Sequence, residues 1–291
     1  MRRTLLLACL VGACGPASRT GNGDDGTMVD SNGQPGSDAV VNDGCAGVAN
    51  CYSVFAHSDA TLYVVDLMAK TLNTVGGFNA PQVAGKTDVI TDIAVAPDGT
   101  IWAISETALY TASSTDGHVT PKGSLSACGM RAVALTFTPG GKLYEGDFMG
   151  AICQIEIAGA TPIVDAPIKL SNGYALAGDL VAIGDGTVFG TLYKLADAAG
   201  KGTQLSNVLG KVDLATGTVT TLGATGYPKL FGTSFAKNKV MGFTHDGTGN
   251  VIEIDPMTGA GAVYATFMDP TSHMGISFAG AGVNALVQII L

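Results

Sequence analysis

Two patterns of alternating apolar and polar positions recur along this chain. In the first, the alternation reaches an acidic residue, breaks at small residues and resumes. The copies are "LYVVDLMAKTLNTVGGF" (62–78), "ICQIEIAGATPIVDAPI" (152–168), "VDLATGTVTTLGATG" (212–226) and "VIEIDPMTGAGAVYATF" (251–267). A period of two residues reads as half-buried strands rather than helix. The acidic positions are Asp66, Glu156, Asp213 and Asp255, and a fifth copy, "LYTASSTDGHVTPKGSL" (109–125), lacks the acid. An Asp at a strand end accepts backbone N–H bonds from the following turn, so these carboxylates read as turn fasteners rather than catalysts.

The second pattern is an apolar strand, a turn dipeptide and another strand. It occurs in "ITDIAVAPDGTIWAIS" (90–105), "AVALTFTPGGKLYEGD" (132–147), "AGDLVAIGDGTVFGTL" (177–192) and "FGTSFAKNKVMGFTHD" (231–246). Asp98-Gly99, Gly140-Gly141, Asp185-Gly186 and Lys237-Asn238 occupy the turns, and such pairs signal hairpins. The chain ends in the same pattern, "MGISFAGAGVNALVQII" (274–290). From turn to turn the steps are 42 residues (98 to 140), 45 (140 to 185) and 53 (185 to 238), the last lengthened by an insertion, "KLADAAGKGTQLSN". Four strands per unit at that period predict an all-β fold, a single β-propeller. Five inner-strand signals give five four-stranded blades, with six as the alternative count. The first unit lacks an inner strand and the last lacks outer ones. The N-terminal strands and the C-terminal hairpin are therefore expected to close one composite blade, leaving no free sheet edge.

Composition supports this reading. The chain is 46% hydrophobic and 13% charged, with 41 glycines. Few charges and many turn formers favour β-structure. Only "LYKLADAAGKG" (192–202) hints at a helix. The net charge of −9 would repel a phosphate backbone, which argues against nucleic acid.

The N-terminus, "MRRTLLLACLVGACGPAS", has two arginines before a short apolar run, the layout of a signal peptide over residues 1–13. That run is shorter than the roughly 20 residues a membrane span needs. "VGAC" resembles a lipobox, which makes Cys14 the lipid-bearing first residue of the mature chain. Residues 14–44, rich in Gly, Asp, Asn and Ser, read as a flexible tether, and 45–291 as the propeller domain. The expected location is a membrane lipoprotein facing the periplasm or exterior, or else a secreted protein. Four cysteines remain: Cys45, Cys51, Cys128 and Cys153. An even count in an exported chain suggests two disulfides, with three pairings open. The closeness of Cys45 and Cys51 favours them as one pair, leaving Cys128 with Cys153. No cysteine or histidine spacing suits zinc.

"DGTIWAIS", "GGKLYEGD" and "VDLATGTVTTLG" resemble the repeats of secreted bacterial propellers of the NHL-repeat, gluconolactonase-like and quinoprotein-like kinds, over residues 52–291. The resemblance implies architecture only, because those families include lactonases, dehydrogenases and binding scaffolds. Aligning the inner strands by their turns puts Asp92, Ala134, Asp179, Gly232 and Gly275 at one level of the central channel. Asp92 and Asp179 could face each other there and hold Ca²⁺, which takes six to eight oxygens. Gluconolactonase-like enzymes use a fuller set of Glu, Asp and paired Asn, which Ala134, Gly232 and Gly275 do not reproduce. The competing reading is that each Asp bonds backbone amides near the channel.

Other chemistry is weaker. His57, His118, His245 and His273 are spread over different units, and no GxSxG elbow occurs. His273, just before an inner strand, is the best placed of the four. "HDGTGN" (245–250) and the "GGK" of 140–142 read as turns rather than a calcium loop or a phosphate loop. Trp102 is expected to pack between blades, and Arg131 to be a rim charge. The expectation is a non-catalytic, lipid-anchored propeller, a monomer that binds a protein or glycan at its rim and touches membrane only through its anchor. The alternative is a divalent-metal-dependent, lactonase-like hydrolase using Asp92 and Asp179.

Overall fold

The computed structural model describes residues 53–125, 128–129, 131–159, 161–198 and 206–287. The signal peptide, Cys14, the tether and the Cys45–Cys51 pair lie outside the described residues. The protein is a five-bladed β-propeller. Going outward from the centre, the second blade holds Ile90–Val95, Ile101–Ser105, Ala108–Ala112 and Val119–Ser124. The third holds Ala132–Phe137, Leu143–Asp147, Ala151–Glu156 and an outer edge split into Ile163–Val164 and Ile168–Lys169. The fourth is Tyr174–Ala182, Val188–Lys194, Ser206–Val212 and Val219–Pro228, and the fifth Leu230–Ala236, Lys239–Thr244, Asn250–Ile254 and Gly261–Thr266.

The first blade is the composite one. Gly280–Gly282 is its innermost strand and pairs antiparallel with Val54–His57, followed outward by Thr61–Asp66 and Thr71–Gly77. One detail departs from the sequence reading. Among the described residues the C-terminal segment supplies one strand where the sequence pattern predicts a hairpin, and Asn284 beyond it bridges to Val95 in parallel. The reason is room. "GAG" fits the crowded centre, whereas Ile276 and Phe278, a few residues earlier, are large and are buried between sheets.

The turns follow the sequence logic. Asp98 and Asp185 each accept the N–H of the Thr two residues on, at 2.9 and 2.8 Å. In the fifth blade the paired Ala236 and Lys239 leave a two-residue turn in which Lys237 and Asn238 both have positive φ, 53° and 59°, as a twist-matched hairpin requires. Asp66, Asp213 and Asp255 each accept two N–H bonds from the residues that follow, at 2.8–3.1 Å. Glu156, the fourth acid of the series, is exposed at its strand end. The helical hint amounts to one turn, Leu195–Ala198.

Apolar faces of neighbouring sheets pack against each other. Phe189 of the fourth blade stacks on Phe235 of the fifth, and Trp102 of the second meets Phe137 of the third edge-on at 6.2 Å. A disulfide joins Cys128, just before the third blade, to Cys153 in that blade's third strand, closing a span of 25 residues. Closure of a span that long is worth about 3 kcal/mol in the chain-entropy account.

Ring closure rests on one short strand. Truncation after Ala279 should therefore lower the melting temperature by at least roughly 10 °C, or abolish a cooperative transition. Circular dichroism melts of the two chains check this; coincident curves would contradict it.

Candidate functional site

Each of four innermost strands breaks register near its start: between Ile90 and Asp92, Ala132 and Ala134, Leu176 and Leu180, and Leu230 and Gly232. Bulges of this kind re-aim the side chains that follow them. They bring Asp92, Ala134, Asp179 and Gly232 to one level, as the turn alignment predicts. The fifth member is not Gly275, which sits upstream in an isolated bridge with Met268. Gly280 and Ala281 take that place. A Cβ on Gly232 would fall 2.7 Å from the carbonyl carbon of Gly280 and 2.8 Å from the Ala281 nitrogen. The inner strands therefore approach more closely than any side chain there would permit.

Asp92 and Asp179, both fully buried, meet at this level. The Leu135 N–H of the third blade donates to Asp92 Oδ2 at 2.6 Å, and Gly280 of the first blade comes up against Asp92 Oδ1. Asp179 Oδ1 accepts from Leu180 at 2.5 Å, and its Oδ2 accepts from Thr233 of the fifth blade at 3.0 Å. The two carboxyls lie within hydrogen-bonding reach of each other. Asp92 Oδ1 has no donor among the described groups. Two ionised carboxylates cannot sit in contact in a dry interior, so the pair holds a proton between them. Burial raises both carboxyls well above the usual carboxylate range, and for Asp179 the charge of Asp92 adds to the rise.

His57 completes the cluster. A Cβ on Gly280 would lie 2.2 Å from Asp92 Oδ1 and 2.4 Å from His57 Nε2, so both atoms flank one α-carbon. His57 Nδ1 is 2.8 Å from the Ser58 carbonyl, which makes Nδ1 the protonated nitrogen and leaves Nε2 as a buried lone pair without a partner. Burial lowers the imidazole to about 4, and His245 nearby pushes the same way.

The remaining candidates have ordinary duties. The Nδ1 of His245 is 3.2 Å from the Ser277 hydroxyl and 3.0 Å from the Phe278 carbonyl. Its proton therefore serves the carbonyl, and it is the wrong nitrogen to activate Ser277. His118 is exposed beside Asp116, 3.7 Å away. The His273 N–H donates to the Asp269 carbonyl inside a turn. In "HDGTGN", Asp246 accepts the Thr248 N–H and hydroxyl, a turn contact. Arg131 pairs with Glu106 at 2.7 Å, both about half exposed, a rim contact worth little.

For a divalent cation the donor set is poor. Three of the four carboxyl oxygens already accept an N–H, and Ala134, Gly232 and Gly280 add no side-chain oxygen. Sequence reasoning missed two buried groups, His57 and Glu145. His57 carries no local signal, although the small residues of "FAGAG" do announce a close approach. Glu145 stands inside an apolar strand, "LYEGD", and its place there was a signal.

No protein-family model matches this chain, and no curated protein is similar to it in sequence. Three solved structures share some of its shape. A protein of unknown function from Bacteroides caccae is 11% identical, with 72% of this chain and 70% of that one covered and a TM-score of 0.43. Virginiamycin B lyase from Staphylococcus aureus is 12% identical, covering 78% and 69%, with a TM-score of 0.42. A provisional 6-phosphogluconolactonase from Bacteroides uniformis is 14% identical, covering 80% and 71%, with a TM-score of 0.40. Scores this low carry no argument about this chain.

The titrating groups act on opposite sides of neutrality. Carboxyls raised in the folded state stabilise it at low pH, and that contribution is lost as pH climbs through the raised values. A lowered His57 contributes fully above its ordinary 6.5 and loses that contribution as pH falls towards 4, a swing on the order of 3 kcal/mol. Asp92→Asn, which puts an amide donor where Asp92 Oδ1 lacks one, should stay within about 1 kcal/mol at pH 7 and flatten the alkaline loss. Asp179→Ala, which strands the Leu180 and Thr233 amides, should cost about 3 kcal/mol or more. Urea unfolding from pH 4 to 9 checks both; an unchanged alkaline limb in Asp92→Asn would contradict the shared proton.

Proposed function

We propose that this chain is a non-catalytic binding propeller, exported and held at the cell envelope by a lipid on Cys14. Its partner is a protein or glycan met at the rim, not a nucleic acid, and the chain works as a monomer. One observation carries the reading. The paired carboxyls at the channel are engaged by backbone amides of neighbouring blades, so the group best suited to catalysis is occupied in holding the ring together.

Connectivity distinguishes the two faces of the propeller. The first strand begins at Val54, paired with Val65 beside the Asp66 turn, on the face that also carries the Asp98-Gly99 and Lys237-Asn238 turns. The other face carries the connections that run from each blade's outermost strand to the next blade. That face bears the connection at 267–275, in which Met268 and Met274 are 61% and 70% exposed. Flexible thioethers raised among polar neighbours suit an adaptable protein contact. Trp102, the sole tryptophan, packs against Phe137 between blades and is not offered for stacking on a sugar, which favours a protein over a glycan.

The second reading, a metal-dependent lactonase-type hydrolase, is favoured by the meeting of Asp92 with Asp179. Thermal melts in EDTA and in Ca²⁺ separate the two. The binding reading predicts superimposed curves. A ligand at 100 times its dissociation constant would add about 2.7 kcal/mol, and a shift of that size, lost in Asp92→Asn, would favour the hydrolase. Cys14→Ala in an exporting bacterial host should move the protein from the membrane fraction to the soluble one. Retention in the membrane fraction would contradict the lipid anchor.

A further inference from the structure

Glu145 occupies the middle of the third blade's second strand, opposite Leu135 on one side and Cys153 on the other. It is 2% exposed, and its Oε1 is buried without a hydrogen-bond partner. One of its carboxyl oxygens and the sulfurs of Cys128 and Cys153 all lie within 4.8 Å of one another. Glu145 does not fasten the adjacent turn, which is held by Asp147 Oδ1 accepting from Met149 and Ala151. A buried carboxyl with an idle oxygen is costly, and here that oxygen belongs to a group lying against a disulfide.

We infer that the Cys128–Cys153 bond is an exchange-competent redox site in which Glu145 is the proton donor and acceptor. Its reaction partner is a dithiol. One thiolate of the dithiol attacks the sulfur of Cys128, the more exposed residue of the two at 7% against 0% for Cys153. The protein's sulfur–sulfur bond breaks and its electron pair leaves on Cys153. The Glu145 carboxyl gives its proton to that sulfur, so Cys153 becomes a thiol and Glu145 a carboxylate. The dithiol's second thiol loses its proton to water and attacks the mixed disulfide. Cys128 is released as a thiolate and takes a proton from water. The protein disulfide is reduced and the dithiol oxidised to a disulfide. In the reverse direction the Glu145 carboxylate takes the proton of Cys153 and readies it as a thiolate.

The surroundings suit that role. Burial raises the Glu145 carboxyl to about 7, opposed by the Cys128 backbone N–H and aided by the charge of Asp147. Burial raises the Tyr193 hydroxyl, which donates to the Phe148 carbonyl at 2.7 Å, and the charge of Asp147 adds to that rise. Both protonation states of Glu145 are therefore populated near neutrality, as a group that gives and takes a proton needs. Opening the bond would release Cys128, which lies in the connection from Val119–Ser124 to Ala132–Phe137.

The test is the rate of reduction of the folded chain by dithiothreitol from pH 6 to 9, read by thiol alkylation and mass spectrometry and divided by thiolate concentration. In the wild type the corrected rate should fall roughly tenfold across that range as Glu145 loses its proton. Glu145→Gln should give a flat profile, roughly tenfold slower than wild type at pH 6. A glutamine that merely loosened the packing would speed reduction at every pH, and that result overturns the proposal. A flat wild-type profile, or a rate independent of dithiothreitol concentration, does so as well. If the glutamine chain does not fold, the wild-type profile alone decides.

Discussion

All five innermost strands meet at two carboxyl groups. Asp92 belongs to the second blade, accepts from Leu135 of the third and abuts Gly280 of the first; Asp179 belongs to the fourth and accepts from Thr233 of the fifth. The amide hydrogens they accept would otherwise be buried and idle at the register breaks, where the ladder is interrupted. Everything else at the centre is fitted around this knot. The glycines at 232 and 280 let the strands come close enough, and the bulges turn the two side chains inward.

The knot has an electrostatic condition. Two carboxylates in contact, away from water, need a proton between them, and several amide dipoles then stabilise the remaining charge. His57, kept neutral by burial, places a lone pair rather than a positive charge beside Asp92. The centre is thus a proton-sharing cluster of two acids and a neutral imidazole. The same contacts make the paired acids a poor metal site, because three of their four oxygens already accept amide hydrogens.

Most of the architecture was legible in the sequence because propeller blades advertise themselves locally. Period-two alternation and turn dipeptides mark the strands, and the spacing of Asp98, Gly140 and Asp185 marks the blades. The same alignment found Asp92 and Asp179, since their depth is counted from those turns. It misplaced the fifth inner strand by five residues, from Gly275 to Gly280. "GISFAGAG" alternates without a break, and only the crowding at the centre selects its small end. His57 and the Glu145 contact with the Cys128–Cys153 disulfide were not legible. They depend on how neighbouring blades twist past one another, and the local pattern carries no trace of it.

The central claim is that burial and mutual contact raise the Asp92 and Asp179 carboxyls well above the usual carboxylate range. It is tested most directly by carbon-13 NMR of the aspartate side-chain carboxyls, titrated from pH 4 to 9 and assigned with Asp92→Asn. The account predicts an aspartate carboxyl that titrates well above the usual carboxylate range and whose titration moves in that variant. Full ionisation of every aspartate by pH 6 would contradict it.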